Sequence, residues 1–571
     1  MLNDEAAAAD RGSLGAVANL DVMTATDRSE GREEREMTTR VGAGDVLPTL
    51  LGTWARQTPD RVFLEEVSGP SLTYAQTNDA VLRWAAALQR LGVGAGHRVL
   101  TMLPTSALAS CAWLGIAALR AIEVPCNAAY RGRMLGYLAS NSAAETVIIA
   151  APYVEQFAGV AADLASVRTI VVVGGEAPQL AGGIRVISEE EFLAGVEPAT
   201  DLAPAQPSDI CALFYTSGTT GPSKGVLVPW GQLHQSAFAT CNLGLTEQDA
   251  FYVPYPGHHL AGKTPLYSSA LAHARVVIRE RFDTKSFWQD IDDHRCTWAL
   301  LLGAMQSFLW RQEPRDDDAQ HALRNVLMYP VLPEVDEFKR RFGVRVGTSY
   351  GSTEQGPAIH AGWNTSSATS KSCGRLRPGY PGWEARIVDE RDNELGPGET
   401  GELVVRTSAP WTINQGYFGM PEKTVEAWRN GWFHTGDAFS CDADGNFYFV
   451  DRVRDCIRRR GENISSFEVE VEVNAHPLVI ESAVIGVPSE HGEEDVKVLA
   501  VTKDGETLDP QELIEFLTPR LARFMIPRYV QFVTEIPKTE ATHRVKKYLL
   551  REDALNDDTW DRDAATTRVP A

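Results

Sequence analysis

The stretch FYTSGTTGPSKGV, Phe214–Val226, concentrates residues that can hold anions. Between Ser217 and Val226 stand four hydroxyl residues, three glycines and Lys224. Glycines let a backbone double back and bring its N–H groups against a ligand, while hydroxyls and an ammonium add donors for bound oxygens. Such a loop suits a polyphosphate. Gly/Ser/Thr segments between apolar runs are commonly plain surface turns. Here, however, the apolar run ICALFYT leads in as a buried strand and Lys224 follows in register. The Walker pattern GxxxxGK[ST] is not met, because Ser223 stands five residues after Gly218 and Gly225 follows the lysine. A P-loop nucleoside triphosphatase is therefore disfavoured.

Three further stretches carry chemistry. In YGSTE, Tyr350 offers a flat face for a base, Thr353 a hydroxyl for a phosphate and Glu354 a hard carboxylate suited to Mg²⁺, although Ser/Thr followed by Glu is also a common helix start. In GWFHTGD, Asp437 ends a glycine-bounded turn, where aspartate is commonly a turn former. Arg452, Arg454, Arg458, Arg459 and Arg460 crowd nine positions, either as a solvated charged face or as a local anion site.

The elements that must position these residues are legible as alternating short strands and helices. AVLRWAAALQRLGV predicts an amphipathic helix closed by Gly92, followed by the strand-like HRVLTML; ETVIIA, TIVVVG and ICALFYT are further β-branched or apolar runs. The expectation is α/β layering with substantial parallel sheet. Beyond Gly374, ARIVDERDNELGPGETGELVVR predicts a β-rich subdomain. The expected division is a leader at 1–44, a large domain at 45–451, a small α+β C-terminal domain at 452–552 and a flexible tail at 553–571.

Size and charge narrow the function classes. A chain of 571 residues exceeds one ordinary core, and 44% hydrophobic with 23% charged residues is the composition of a soluble globular protein. A formal charge of −22 disfavours nucleic acid or an anionic membrane as the main partner. Eight scattered cysteines without a CxxC pair indicate neither a zinc site nor a disulfide framework, and a reducing cytoplasm fits them best. The start MLNDEAAAAD lacks the regions of a signal peptide, and ALASCAWLGIAAL is too short to span a bilayer.

Taken in order, YTSGTTGPSKG, SYGSTEQG, GWFHTGD, DRVRDCIRRRGENISSFEVE and IPKTEATHRVKKYLLR resemble the successive motifs of the adenylate-forming superfamily. That superfamily comprises acyl- and aryl-CoA synthetases, carrier-loading adenylation domains and firefly-type luciferases. GENISSFEVE, RERFDTKSFW and VPYPGHHLAGK are most similar to the carnitine/crotonobetaine-CoA ligase branch. The resemblance implies a large ATP- and substrate-binding domain and a mobile lid hinged at Arg454. It implies that Thr216, Ser217, Gly218, Thr219, Thr220, Gly221 and Lys224 form the phosphate loop, with Gly351 and Ser352 beside it. Tyr350 would stack on adenine and Thr353 would meet the α-phosphate. Glu354 would share Mg²⁺ with Thr216, while Asp437 and Arg452 would hold the ribose. His259 falls at the gating position beside the acyl pocket, which is expected to include Lys263, Gly303, Met305 and Tyr329. A histidine on such a segment is more commonly a hydrogen-bonded structural residue.

The last motif departs from the family pattern PKTxxGKxxKxxL. An ungapped reading puts His543 at the lysine that bridges carboxylate and α-phosphate. One extra residue puts Arg544 there and Lys547 at the second conserved lysine. Arginine could bind the same two oxygens with a different geometry, and a lost donor to transition-state charge costs about 3 kcal/mol. Three readings follow: an acid–CoA ligase using Arg544, with a small-molecule acid, ATP, Mg²⁺ and coenzyme A as reactants; an ATP-dependent diazotase relative activating nitrite toward an aryl amine; or a carrier-loading or nucleotide-binding relative with altered catalysis. A homodimer is an admitted assembly. Arg454→Pro is expected to leave adenylate formation largely intact, read by pyrophosphate exchange, and to impair transfer to the thiol. Equal loss of both steps would remove the hinge assignment.

Overall fold

Parallel strands buried on both faces read as continuous β-branched runs, and TVIIA at 146–150 is buried at every position. The computed structural model describes residues 41–566 apart from 161–163, 180–182, 217–222, 303–304, 364, 377–381, 453–454, 456, 460–461, 465, 490–493, 504, 522–524 and 539–544. Within them Thr146–Ala150 lies in a seven-stranded sheet, flanked by Thr169–Val173 and Arg98–Met102. Ile122–Pro125 and Ile210–Thr216 continue it in parallel, and Lys224–Pro229 returns antiparallel to close the edge.

A second sheet has thirteen strands. Its first part is parallel: Val62–Glu66, Arg275–Ile278, Ala250–Val253, Trp298–Leu302, Asn325–Tyr329 and Arg345–Tyr350 pair with neighbours in that sense. From Ile359–Gly362 onward the pairing turns antiparallel, through Trp383–Val388, Thr400–Thr407, Phe433–Cys441 and Phe447–Arg452. The expected β-rich subdomain is thus hydrogen-bonded into the edge of the large sheet. The C-terminal part carries a four-stranded sheet of Val479–Pro488, Glu494–Thr502, Tyr529–Phe532 and Trp560–Asp561, with the helices Ser466–Asn474 and Pro510–Leu517. The architecture is α/β with a large sheet-layered N-terminal domain and a small C-terminal domain.

Local chemistry explains the helix ends. The helix foreseen around AVLRWAAALQR runs Tyr74–Arg90, opened by a capping box in which Thr73 accepts from Gln76 N–H and Gln76 returns the bond; Gly92 follows with φ +82°. The apolar helix Ala107–Ala118 is buried on almost every side, with Trp113 stacked on Trp230 at 5.6 Å. Among the described residues no helix is long and apolar enough to cross a membrane.

In the segment expected to be a flexible tail, Trp560–Asp561 pairs with Tyr529–Val530. Two contacts account for this: Arg528 bridges Asp495 and Asp561, and the fully buried Lys497 donates to Gln531 Oε1 at 2.6 Å, the Ala554 carbonyl at 2.6 Å and Thr559 Oγ1 at 3.0 Å. Three acceptors match the three donors of one ammonium. Burial nevertheless lowers the Lys497 pKa from 10.5 to about 8. Between those two values the unfolded chain holds a proton that the folded chain has released, so this group makes stability rise with pH there. Melting curves from pH 7.5 to 9.5 are expected to show that rise in the wild-type chain and its loss in Lys497→Met. The variant is also expected to expose 553–561 to protease first.

Candidate functional site

The hairpin Ile210–Thr216 and Lys224–Pro229 ends with Thr216 opposite Lys224, and Thr216 Oγ1 donates to the Lys224 carbonyl at 3.5 Å. The loop at Ser217, Gly218, Thr219, Thr220 and Gly221 lies outside the described residues. The lysine side chain reaches back over the ring of Tyr417, 4.7 Å from Nζ to the centroid. Tyr417 in turn donates its hydroxyl to Glu354 Oε1 at 3.4 Å. A cation, a phenol and a carboxylate from three separate stretches are thereby placed side by side.

The backbone of 414–418 makes that arrangement. Gln415 N–H donates to the Leu227 carbonyl, Leu227 N–H to that of Gly416 and Phe418 N–H to that of Gly225, while Asn414 N–H and Nδ2 both donate to the Glu354 carbonyl at 3.0 and 2.8 Å. The YGSTE turn is held from its other side by the buried Gln232, whose amide donates to the Thr353 carbonyl at 2.8 Å. Inside the turn Glu354 N–H donates to Ser352 Oγ at 3.2 Å. A Cβ on Gly351 would stand 2.7 Å from the Gly356 carbonyl, so only glycine fits.

Tyr350 closes the far side. Its hydroxyl donates to Asp437 Oδ2 at 2.6 Å, and its ring meets Phe439 edge-on at 4.6 Å. Asp437 is 3% exposed and its backbone is paired with that of Arg452 across the strands Phe433–Cys441 and Phe447–Arg452. Arg454 lies outside the described residues, as do His543 and Arg544. Of the arginine cluster, Arg459 is spoken for inside the small domain: it pairs with Asp495 at 2.8 Å and donates to the Ile526 carbonyl. Lys547 pairs with Glu470 at 2.8 Å and donates to Ser466 Oγ, so the described placement keeps it within the small domain.

The expected acyl pocket is brought together only in part. Tyr329, whose hydroxyl accepts from Ser349 Oγ at 3.0 Å, is pushed up to about 12 by burial. Met305 opens the helix Met305–Trp310, and Gly303 lies outside the described residues. His259 stands just before the helix Leu260–Ala272, its ring 4.4 Å from that of His258. Lys263, expected in that pocket, meets a carboxylate of the protein itself. Its ammonium is 2.5 Å from Glu123 Oε2, both side chains are buried, and it sits 4.0 Å above Trp113. A charge with no water needs a counter-charge, and strand Ile122–Pro125 supplies it. Burial pushes the Glu123 carboxyl up and the Lys263 ammonium down from their ordinary values, with each partner opposing the other's shift.

Tyr417, Asn414, Gln232 and Glu123 were not singled out from sequence. The stretch NQGYFG held a signal in its two glycines, of which Gly416 adopts φ +92° and Gly419 φ +66°. Gln232 and Glu123 sit in ordinary helix and strand contexts and gave none.

Comparison with known proteins places these motifs together. Residues 51–418 match the model described as AMP-binding enzyme, and residues 468–542 that described as AMP-binding enzyme C-terminal domain. A crotonobetaine/carnitine–CoA ligase of Salmonella arizonae is 30% identical over 485 residues, covering 84% of this chain and 92% of the relative. The crystal structure of ATP-bound MatB from Rhodopseudomonas palustris is similar with a TM-score of 0.76 at 26% identity, covering 90% of this chain and 99% of that one. The AMP complex of O-succinylbenzoate coenzyme A synthetase from Bacillus subtilis shares the fold with a TM-score of 0.75 at 24% identity, covering 88% and 98%.

Proposed function

The chain belongs to the AMP-binding enzyme family, and from that premise we propose that it is an AMP-forming acid–CoA ligase. It joins a small acid to the α-phosphate of ATP, releases pyrophosphate, and passes the acyl group from the adenylate to the thiol of coenzyme A. The observation that carries this reading is the convergence of Lys224, Tyr417 and Glu354 beside the Tyr350–Asp437 pair. The curated relatives, named as CoA ligases, and the ATP-bound structural neighbour support it.

The first half-reaction brings two anions together, so positioning and charge neutralisation carry the catalysis and no side-chain nucleophile is needed. The carboxylate oxygen attacks the α-phosphorus, and the bond to the bridging oxygen breaks as pyrophosphate leaves. Lys224 and the hydroxyl of Thr353 face that charge. Asp437 accepts the ribose hydroxyls, and the Tyr350 hydroxyl holds its carboxylate in place. The residues suit a magnesium ion: Thr216 and Glu354 are hard oxygen donors, and the Glu354 backbone is pinned by Asn414. When bound there it would neutralise phosphate charge.

In the second half-reaction the thiol displaces AMP at the acyl carbon. The small domain, beginning near Arg452 and turning at Arg454, exchanges one face for another between the steps. Arg544 stands for the missing lysine in the first step. A guanidinium fork can bind two oxygens, with a geometry different from an ammonium's.

ATP–pyrophosphate exchange over a panel of acids, followed by thioester formation with coenzyme A, tests the reading. Exchange that requires an acid and thioester that requires CoA are expected; AMP release that requires nitrite and an aryl amine, or silence with every acid, would overturn it. Glu354→Gln is expected to lower exchange about 100-fold. Lys224→Ala is expected to raise the KM for ATP about tenfold, because the loop's backbone donors remain.

A further inference from the structure

We propose, on the acid-activating reading above, that the cavity behind Lys263 is a specificity subsite. It receives a neutral oxygen-bearing group, a hydroxyl or a carbonyl, at the end of the acid remote from its reacting carboxylate. The cavity measures about 30 Å³ and is lined among others by Thr101, Ser110, Trp113, Glu123, His258 and Lys263. It opens at the carboxyl ends of the parallel strands Arg98–Met102 and Ile122–Pro125, the edge of a doubly wound sheet where ligands are commonly held. An ordered water needs about 10–15 Å³ of such room, so the cavity has space for one substrate oxygen.

The donor balance selects the ligand chemistry. Glu123 spends both oxygens within the protein, Oε1 on the Thr101 hydroxyl at 2.8 Å and Oε2 on Lys263. Lys263 has three N–H groups. One meets Glu123 and the Trp113 face takes a second, which leaves a third for the cavity. Trp113 is 1% exposed, and its indole N–H has no acceptor among the described residues. Donors at this place therefore lack a protein acceptor. An anion is disfavoured, because Glu123 already cancels the lysine charge, and His258 adds none: burial, with His259 and Lys263 nearby, lowers its pKa to about 3. His258 Nε2 likewise finds no partner among the described residues. A neutral acceptor oxygen answers the two idle donors, and a hydroxyl could also give its own hydrogen to His258.

The cavity is lined by Gly257 and His258, next to the His259 expected at the gate of the acyl pocket. His259 immediately precedes the helix Leu260–Ala272, whose first turn carries Lys263. Trp113 stacks on Trp230, two residues before the Gln232 that holds Thr353. Gly262 permits this packing: a Cβ there would stand 2.4 Å from the Pro256 carbonyl oxygen, driving apart the turn that carries His258 and the helix that carries Lys263.

The test is kcat/KM for ATP–pyrophosphate exchange with acids matched in shape, 4-hydroxybutyrate against pentanoate and 3-hydroxybenzoate against 3-methylbenzoate. The wild-type chain is expected to favour the oxygenated member of at least one pair about tenfold. Trp113→Phe removes the indole N–H together with one of its two rings, is checked for folding by its melting curve, and is expected to bring that ratio close to one. The double variant Lys263→Met/Glu123→Gln, checked for folding by its melting curve, is expected to do the same. Exchange without preference in either pair, the result of a cavity that holds water only, overturns the proposal, as does a preference that survives both variants. Silence with every acid overturns the activating reading and this proposal with it.

Discussion

Three stretches far apart in the chain meet because one short segment satisfies its backbone hydrogen bonds on two of them at once. Residues 414–418 add themselves alongside Gly225–Leu227 as a partial strand and give two donors to the Glu354 carbonyl. A buried backbone group left unpaired costs roughly as much as a lost hydrogen bond, so this segment cannot leave either neighbour without penalty. The distance between the Lys224 ammonium and the Glu354 carboxylate is consequently set by the backbone, with Tyr417 as the spacer between them. Charged side chains that would otherwise sample many rotamers in water are presented on stiff supports, which is what a site that works by prior orientation of its dipoles requires.

Much of this was legible before any coordinates. The β-branched runs became strands, Gly92 closed its helix, and the motif order implied the α/β architecture that the structure has. The contacts made by Tyr350 and Asp437 with each other were not legible, although both residues were singled out, because a distance across 87 positions depends on sheet register. Register also decided the edge of the β-rich subdomain, which turns out to be joined to the large sheet through Ser372–Leu376 and Phe447–Arg452. Lys263 was singled out for the pocket, but its partner was not legible. Nothing in VPYPGHHLAGK tells that the side chain faces a strand 140 residues earlier, where Glu123 waits among apolar neighbours.

Glu123 and Lys263 raise a question of cost. Removing two charges from water is expensive, and an apolar pair of the same volume is frequently as stable or more so. The pair has partners that offset part of this: the Thr101 hydroxyl on one carboxylate oxygen and the Trp113 face under the ammonium. The remaining polar groups nearby, the Trp113 N–H and His258 Nε2, have no such compensation within the described residues. A packing role alone would favour losing them, since each idle buried polar group weakens the fold. Their presence together at one small cavity is better explained by an occupant than by packing.

The position of that cavity and of the phosphate hairpin follows from one topological fact. In the seven-stranded sheet the strands 98–102, 122–125, 146–150, 169–173 and 210–216 run the same way, so all their carboxyl ends fall on one edge. The strand 224–229 alone returns, and a hairpin must place its turn at the edge where the outgoing strand ends. Thr216 and Lys224 therefore stand at the same edge as the cavity beyond Thr101 and Pro125, with the helices 230–241 and 260–272 packed between this sheet and the larger one. An acid lying along that edge can present its carboxylate to the hairpin while its other end reaches the buried pair. The hairpin and the cavity thus share one structural cause, the common direction of the strands.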